Sequence, residues 1–444
     1  MKITSVKGFA DIFPGEVEIW QSVEAEARRI FSAYNFSEIR IPIVEKTELF
    51  SRSIGETTDI VEKEMYTFED RDARAGTKIR PPSGSLEFSG QAASTVQTTR
   101  LTLRPEGTAG VARAYVESEM YKIEPVRKLY YIGPMFRRER PQKGRMRQFH
   151  QIGAEALGRG DPLIDAETLL LLSDFFTAVG LTELSLQINS LGDAACRPGY
   201  RETLLAFLRQ RTDSLCANCR RRMERNPLRV LDCKEPGCIE ATKNAPSILD
   251  SLCEPCREHF ATVQRLLGDT RVPFTLNPRM VRGLDYYCRT TFEWTTARLG
   301  SQSAVAAGGR YDGLVQELGG PSIPGVGFAM GIERLTMLLR MQERSAANGP
   351  SLFVVWVGDR ARDWAFPIVH RLRQKGISVE MEGETRSLKS QMRRADKLKA
   401  VSVLIVGDNE LTSGKALLRD MATKQQEEIA MDRIEAELLA RKTI

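Results

Sequence analysis

Two strand-like segments joined by a basic loop constrain the fold of this chain more than any other feature. Residues 128–136 and 148–156 each predict a strand. Between them, ArgProGlnLysGlyArg at 140–145 has the composition of a loop. The sequence therefore predicts an antiparallel pair with a long connection.

One face of this predicted pair is polar. Alternation along a strand places Arg137 and Glu139 on one face of the outgoing strand. It places Arg147, Gln151 and Glu155 on one face of the returning strand. Such a face cannot form a dry core without partners, so we interpret it as the floor of a polar site. A solvated basic loop is the alternative.

Length and composition predict a multidomain, non-membrane protein. A chain of 444 residues is too long for one typical core and predicts two or three domains. The formal net charge of +6 permits a polyanionic partner without requiring one. No run of about 18 apolar residues occurs, and the first residues lack an apolar segment of signal-peptide length. We therefore expect a cytoplasmic protein with reduced cysteines.

Periodicity places further elements. Residues 16–34 predict an amphipathic helix, and residues 38–45 predict an edge or interface strand around Pro42. Residues 71–100 are rich in Gly, Ser, Thr, Pro and Gln and predict a surface loop. Thr108 is the expected N-cap of a helix that continues to residue 116. Further helices are predicted over 165–179 and 331–341, and further strands over 101–105, 286–294 and 326–330.

The last part of the chain predicts a separate α/β domain. It follows a linker that includes residues 345–350. Apolar runs at 352–357, 377–381 and 401–406 alternate with helical stretches, which is typical of parallel pairing. Residues 386–399 predict a helix whose exposed face is basic, either a solvated surface or a phosphate-binding one. Its expected apolar face consists of Leu388, Met392, Ala395 and Leu398.

Six of the eight cysteines lie between residues 215 and 259 and predict an inserted module. Two Cys-x₂-Cys spacings flank a Cys-x₄-Cys spacing, which favours structural zinc. The expected tetrad joins the two outer spacings: Cys216, Cys219, Cys253 and Cys256. Other tetrads that use Cys233, Cys238 or His259 stay open, and so do free reduced thiols.

Five motifs resemble those of one enzyme family. They are ArgProGluGlyThr at 104–108, the basic stretch at 136–147, ValArgGlyLeuAspTyrTyr at 281–287, AlaGlyGlyArgTyrAspGlyLeu at 307–314 and GlyValGlyPheAlaMetGlyIleGluArg at 325–334. The second and fifth resemble motifs of class II aminoacyl-tRNA synthetases. The third and fourth are similar to motifs specific to histidyl-tRNA synthetases of the bacterial type. The resemblance covers nearly the whole chain, although the loop at 76–100 is longer and Met280 replaces an expected Leu.

The resemblance implies an α+β catalytic domain on an antiparallel sheet, with a small insertion domain and a C-terminal α/β anticodon-binding domain. The implied boundaries are 1–195 for the first catalytic part, 196–268 for the insertion, 269–342 for the second catalytic part, 343–350 for the linker and 351–444 for the anticodon-binding domain. The implied reaction is ATP-dependent activation of L-histidine and its transfer to tRNA(His). Within that family the insertion is expected to clamp the acceptor arm.

The resemblance also implies a histidine site. Glu106, Thr108 and Gln151 would hold the ammonium and carboxylate, with Gly107 between the first two. Glu155 and Tyr287 would receive the imidazole, and Tyr286 would help to wall the pocket. Arg282 is the expected catalytic residue that stabilises charge on the α-phosphate and also borders the histidine.

For ATP and Mg²⁺, four residues follow from the same resemblance. Arg137, also expected to be catalytic, would bind the α-phosphate region, Glu139 the adenine edge and Arg334 the γ-phosphate. Arg145 is the fourth expected ATP ligand.

For tRNA, the expected contacts are Arg140 and Gln142 at the loop tip, and Arg386, Lys389 and Arg393 on the basic helix. A homodimer with residues 39–45 near its interface is also implied.

Other functions are compatible with parts of the sequence. A non-catalytic, histidine-sensing regulatory paralogue would be expected to lack part of the arginine set or the last domain, and this chain keeps Arg137, Arg282 and Arg334. A synthetase for another amino acid would not need Glu155 beside a Tyr pair. A tRNA-binding chaperone would not need ATP residues. The glycines at 325–331 do not have the GxGxxG spacing of a dinucleotide site.

Overall fold

The structure is a computed structural model that describes residues 3–55, 58, 60–70, 99–142, 144–300, 303–342 and 349–441. The predicted loop at 76–100 and the linker at 343–350 lie outside the described residues except for their last two positions. The chain divides into two compact units, one of Met1–Ile12 and Glu16–Arg344, the other of Phe13–Gly15 and Ser345–Ile444.

The strands and helices of the described residues are numbered in chain order. The strands are β1 (Ser37–Glu38), β2 (Val44–Lys46), β3 (Tyr66–Glu69), β4 (Arg100–Leu103), β5 (Arg127–Phe136), β6 (Gln148–Leu157), β7 (Ser185–Ser190), β8 (Phe274–Leu276), β9 (Cys288–Thr295), β10 (Ala304–Arg310), β11 (Gly325–Gly331), β12 (Leu352–Trp356), β13 (Val379–Met381), β14 (Ser402–Val406), β15 (Lys415–Asp420) and β16 (Gln426–Ala430). The helices are α1 (Val17–Ala33), α2 (Thr47–Ile54), α3 (Thr108–Glu117), α4 (Met120–Ile123), α5 (Pro162–Val179), α6 (Arg197–Arg209), α7 (Ala217–Arg225), α8 (Pro236–Ala241), α9 (Glu254–Asp269), α10 (Leu314–Glu317), α11 (Ile332–Arg340), α12 (Asp359–Gln374), α13 (Leu388–Lys397), α14 (Asp408–Ser413) and α15 (Ile434–Arg441).

The first unit is built on an eight-stranded sheet in the order β1-β5-β6-β11-β10-β9-β7-β8. The predicted antiparallel pair is present, with β5 and β6 in register from Arg127 opposite Leu157 to Phe136 opposite Gln148. Pairing stays antiparallel from β6 through β11, β10 and β9 to β7, and only β1 and β8 pair in parallel, at the two edges. The expected antiparallel catalytic sheet is therefore confirmed.

Helices α1, α5 and α11 cover one face of this sheet with the predicted apolar residues. Val23, Ala27 and Phe31 of α1 are buried, which confirms the amphipathic helix expected at 16–34. The start of α5 is fixed by Asp161, whose carboxylate accepts a hydrogen bond from the Leu163 amide, and its end by Gly180 in the left-handed region. Such caps typically stabilise a helix by about 1 kcal/mol each.

The prediction of one continuous strand over residues 38–45 is wrong. Only Ser37–Glu38 and Val44–Lys46 form strands, and they pair with different partners. Between them, the carbonyls of Ile41 and Pro42 accept hydrogen bonds from Arg104 Nη1 at 2.6 and 3.2 Å. Pro42 offers no N–H to a ladder, so the buried guanidinium replaces the missing strand pairing.

A buried ion cluster links three distant parts of the first unit. Arg310 and Asp165 have fully buried side chains and form an ion pair. His259 Nε2 lies 2.7 Å from the other carboxylate oxygen of Asp165. Arg310 also pairs with Asp312 at 3.0 Å and donates to the Arg159 carbonyl at 2.8 Å. His259, which the sequence left open as a metal ligand, is therefore committed to Asp165.

The cysteine-rich segment has a core of its own. Its buried residues include Tyr200, Leu204, Met223 and Val230 together with four cysteines. The second half of α9 leaves this core, because Phe260 and Val263 belong to the main core of the unit. The insertion boundaries at 196 and 268 stay predictions.

The second unit has a five-stranded sheet in the order β13-β12-β14-β15-β16. β12 pairs in parallel with β13 and β14, as the sequence predicts. The antiparallel hairpin of β15 and β16 was not predicted, because its strands carry exposed charged residues and give no apolar run.

The face predicted for α13 is only partly correct. Ala395 is buried and Met392 packs on the core, but Leu388 and Leu398 are 44% and 37% exposed. Gln391 takes the core position instead, because its amide accepts from the Trp356 N–H at 3.1 Å and donates to the Trp356 carbonyl at 2.7 Å. Within the described ranges, no helix combines the length and apolarity needed to cross a membrane.

Candidate active site

Ten of the residues predicted to bind histidine or ATP line one cavity on the open face of the sheet. They are Glu106, Thr108, Arg137, Glu139, Arg145, Gln151, Arg282, Tyr286, Tyr287 and Arg334. They come from the connection between β5 and β6, from β6, the start of α3, the segment before β9, and α11. Two predicted residues, Gly107 and Glu155, lie behind this surface.

The start of α3 presents Glu106 at one end of the cavity. The Glu106 carboxylate accepts hydrogen bonds from the amides of Thr108 at 2.7 Å and Ala109 at 2.9 Å. The prediction that Thr108 caps the helix is therefore wrong: Gly107 is the capping residue by position and Glu106 supplies the oxygen. A side chain at Gly107 would collide with the Tyr131 ring. The glycine thus allows the helix to start directly against β5.

Glu155 lies fully inside this wall. Its carboxylate accepts hydrogen bonds from the hydroxyls of Thr108, at 2.7 Å, and Tyr311. Gly327 lies opposite on β11, where a Cβ would strike the carboxylate. Burial raises the pKa of Glu155 from 4.5 to about 8, with the nearby Glu106 adding to the rise. At neutral pH this carboxyl is mostly protonated.

Glu155→Gln should change how stability depends on pH. Because the folded-state pKa of about 8 lies above the ordinary 4.5, the folded chain holds a proton that the unfolded chain has released. The contribution of this proton to the free energy of unfolding is fully present below the ordinary pKa and is lost as the pH rises through 8. Between pH 5.5 and 8.5 we expect the free energy of unfolding of wild type to fall by about 1–3 kcal/mol relative to that of the variant. Urea unfolding of both proteins checks this, and parallel curves would contradict the raised pKa.

Arg282 forms the middle of the cavity wall. Its Nη1 makes an ion pair with Glu293 on β9, and its guanidinium lies 5.7 Å from the centre of the Tyr287 ring. The Arg282 Nε is buried and has no hydrogen-bond partner among the described residues. Among the described residues, the side-chain oxygen of Gln151 is also buried and has no hydrogen-bond partner. Since buried polar atoms are rarely left unpaired, both indicate a polar ligand in this cavity.

Three arginines that line the cavity, Arg137, Arg145 and Arg334, lie close enough to one another to concentrate positive charge. Arg137 donates its Nε to the Pro105 carbonyl at 2.9 Å and stacks over Phe149. Arg334 donates to the carbonyls of Gly144 and Ala304. Burial lowers the pKa of Arg334, and the neighbouring Arg145 and Arg137 lower it further. Cations placed this close to one another favour an anionic ligand.

Arg145 and Glu139, which both line the cavity, form an ion pair with each other. Arg145 Nε lies 2.9 Å from the Glu139 carboxylate, so these two expected ATP ligands are paired with each other. A nucleotide that engages either group would have to open this pair. Their roles stay predictions.

Three residues at the site were missed as site residues. Tyr311 donates to Glu155, Glu293 pairs with Arg282, and Glu333 accepts from the His150 amide at 2.8 Å while lining the cavity. The motif at 307–314 contains Tyr311 and could have signalled it. For Glu293 the sequence offers only the alternation of β9, in which Glu293 is the polar residue between the buried Phe292 and Trp294.

The glycines of the motif at 325–334 have different roles. Gly331 and Ala329 line the cavity. Gly327 and Gly325 instead leave room for Glu155 and for the Tyr311 ring. The two inner glycines therefore serve the packing behind the cavity wall rather than the cavity surface.

The residues expected to contact tRNA are exposed. Arg140 and Gln142 lie in the connection between β5 and β6, where Gln142 pairs with Arg145 in a β-bridge. Lys389 and Arg393 lie on the exposed side of α13, and Arg386 precedes the helix and pairs with Glu384 at 3.0 Å.

The cysteines do not form the expected tetrad. Cys216 and Cys219 lie with Cys233 and Cys238, whereas Cys253 and Cys256 lie with Asp193 and Cys196. Within each group the candidate ligand atoms lie within 4.8 Å of one another. The tetrad of Cys216, Cys219, Cys253 and Cys256 was wrong because spacing along the chain does not determine which pairs meet in the fold.

Comparison with known proteins identifies the family. The family model described as histidyl-tRNA synthetase matches residues 91–335, more than half of the chain. The chain belongs to the histidyl-tRNA synthetase family. A second model, of an anticodon-binding domain, matches residues 351–441. The fold expected from the motifs is thus that of this family.

Relatives match the chain along almost its full length. Histidine–tRNA ligase of Trichlorobacter lovleyi is 55% identical over 97% of both chains. That of Syntrophotalea carbinolica is 54% identical over 99% of both. Among solved structures, apo histidyl-tRNA synthetase of S. aureus superposes with a TM-score of 0.77 at 34% identity, covering 98% of this chain and 100% of that one.

Proposed function

We propose that this chain activates L-histidine with ATP to histidyl-adenylate and then transfers histidine to tRNA(His). The observation that carries the proposal is that carboxyl, phenol and guanidinium groups line one cavity together. Family membership supplies the reaction class, because the ligases it resembles at 50–55% identity match nearly all of its length.

The histidine would lie between α3 and the Tyr pair. Glu106 and the unpaired Gln151 oxygen offer acceptors for its ammonium. The hydroxyls of Thr108 and the Tyr pair, with Glu155 behind them, form a polar wall for the imidazole. Such a wall rejects apolar amino acids, because a buried polar group left without its partner costs about 1–3 kcal/mol.

The histidine carboxylate would then attack the α-phosphorus. The bond to the bridging oxygen breaks and pyrophosphate leaves, while negative charge grows on the α-phosphate oxygens. Arg137 and Arg282, which both line the cavity, would stabilise that charge. Arg334 would hold the γ-phosphate and Glu139 the adenine edge, once the pair of Glu139 with Arg145 opens.

The cavity also offers the oxygen ligands that a magnesium ion requires. Glu333 places carboxylate oxygens, which Mg²⁺ prefers, on a surface otherwise rich in arginine. When bound with ATP, the ion supplies neutralisation of phosphate charge.

Pyrophosphate exchange with each of the twenty amino acids tests the proposal. Histidine alone should support exchange, and only with Mg²⁺. A regulatory paralogue would bind histidine without exchange, and exchange with another amino acid would refute the assigned substrate. The similarity to a regulatory-subunit or synthetase structure from Bacillus halodurans, at 18% identity and a TM-score of 0.62, reflects the fold alone.

We also propose that the exposed basic side of α13 contacts tRNA phosphates. Lys389 and Arg393 are exposed and form no ion pair within the described residues, whereas Arg394 beside them pairs with Glu382 at 2.6 Å. Cations left unpaired on one side of a helix are available to a polyanion.

Replacing Lys389 and Arg393 together by Ala should raise KM for tRNA about tenfold and reduce its salt dependence, since two phosphate contacts are lost. Histidine-dependent pyrophosphate exchange should stay unchanged. Arg360→Ala is the matched control, because this arginine is also exposed in the second unit, on α12. An unchanged KM for tRNA in the double variant would exclude this surface.

We further propose a homodimer that works in the cytoplasm, where its tRNA is charged. β2 is an edge strand of the small sheet β2-β4-β3, and its first residue Val44 is 39% exposed, while Ile43 just before it is 43% exposed. An exposed apolar edge strand favours pairing with another chain. Light scattering should give the mass of two chains, and a single-chain mass would refute the dimer.

A further inference from the structure

The cysteine-rich segment contains two separate clusters with the ligand types of metal sites. The first consists of Cys216, Cys219, Cys233 and Cys238, and the second of Asp193, Cys196, Cys253 and Cys256. Together they use seven of the eight cysteines, and Cys288 is the one outside both. A chance grouping of free thiols would not sort the cysteines so completely.

The spacing of the ligand atoms fits a tetrahedral ion. Zinc holds thiolates at about 2.3 Å, which places tetrahedral sulfurs about 3.8 Å apart. Cys216 Sγ lies 4.0 Å from Cys233 Sγ in the first cluster, and Cys196 Sγ lies 3.5 Å from Cys253 Sγ in the second. These distances exceed the bonding distance of about 2.05 Å in a disulfide.

Backbone amides point at the sulfurs, as they do around bound metals. In the first cluster, Cys216 Sγ accepts from the Cys219 amide at 3.4 Å and Cys238 Sγ from the Cys216 amide at 3.1 Å. In the second, Cys196 Sγ accepts from the Asp193 amide at 3.4 Å. Such donors orient metal ligands from outside the coordination shell.

We propose that each cluster binds one Zn²⁺, the first through four thiolates and the second through three thiolates and the carboxylate of Asp193. Four protein ligands close the coordination shell, so both ions are structural. The proposal is independent of the histidine reaction, since none of these residues lines the cavity.

The two clusters lie beside the two ends of the segment 281–289, which contains the motif ValArgGlyLeuAspTyrTyr. Arg229, in the short 3-10 helix Pro227–Val230 between Cys219 and Cys233, donates to the Arg282 carbonyl at 2.9 Å. Asp193 of the second site also pairs with Arg289 at 3.3 Å. The segment that carries Arg282 and the Tyr pair is therefore attached at its start to one cluster and at its end to the other. The ions would fix both attachments.

Elemental analysis of the full chain, purified without chelator or added metal, tests the proposal. We expect two zinc ions per chain. Cys219→Ser and Cys256→Ser should each retain one, and Cys288→Ser, the matched control, should retain two. One ion in wild type, lost only in Cys219→Ser, would refute the second site. Fewer than about 0.2 per chain with reduced thiols, or disulfides found by mass spectrometry, would overturn both.

Cobalt substitution gives a readout that does not need a folded variant. Titration of the metal-free wild type with Co²⁺ should saturate at two equivalents. Thiolate-to-cobalt charge transfer reports the number of Co–S bonds, so the two sites should contribute in a ratio of four to three. Saturation at one equivalent, or absorption without charge transfer, would contradict the assigned ligands.

Discussion

Arg282→Ala should lower the rate of histidyl-adenylate formation by about 10²–10³ and change the KM for histidine and ATP far less. The guanidinium is held by its ion pair with Glu293 and by the Tyr287 ring, while its Nε stays unpaired among the described residues. A hydrogen-bond donor that is already held in place and has no other partner can stabilise charge that appears only in the transition state. Single-turnover measurements of adenylate formation separate this effect from binding.

The partner residue supplies the control for Arg282. Glu293→Gln keeps the guanidinium in the cavity and removes the charge that holds it, so we expect a much smaller loss. Arg282→Ala also leaves the Glu293 carboxylate unpaired, and the double variant with Glu293→Gln removes that charge. If the double variant recovers most of the rate, or if binding falls as much as the rate, Arg282 has no catalytic role.

Arg310→Met should lower the free energy of unfolding by about 3–5 kcal/mol. The side chains of Arg310 and Asp165 are fully buried, so the substitution leaves a buried carboxylate with His259 as its remaining side-chain partner among the described residues. Breaking a buried pair on one side costs far more than the pair contributes, because the remaining charge stays desolvated. The midpoint of urea unfolding measures the loss.

A surface arginine provides the comparison for Arg310. Arg298 pairs with Glu183 at 2.5 Å, but the two side chains are 41% and 62% exposed. Arg298→Met should therefore cost less than about 1 kcal/mol. Adding Asp165→Asn to Arg310→Met should restore part of the stability, because the unpaired charge disappears. Equal losses from Arg310→Met and Arg298→Met would refute the role of burial.

Local patterns predicted the parts of this protein that depend on neighbours in sequence. The alternation in β5 and β6 was sufficient to predict their pairing and the shared face of Arg137 and Gln151. The motif at 281–287 placed Arg282 in the cavity correctly. Both signals come from residues whose relation is set by one strand or one short segment.

Features that join distant segments could not be predicted. Arg310 and Asp165 are 145 residues apart, and His259 and Asp165 are 94 apart, so neither contact leaves a periodic signal. The cysteine pairing failed for the same reason, since the second cluster takes Asp193 and Cys196 from outside the predicted tetrad. Glu106 replaced Thr108 as the oxygen that caps α3, because a buried carboxylate two residues earlier reaches the same amides.

The most direct test of the central claim is to detect histidyl-adenylate on the enzyme itself. Folded protein mixed with histidine, ATP and Mg²⁺ without tRNA should form one enzyme-bound adenylate per active chain and release an equal amount of pyrophosphate. Protein that binds both histidine and ATP but forms no adenylate would contradict the account, and a histidine-sensing regulatory protein would then explain the cavity better.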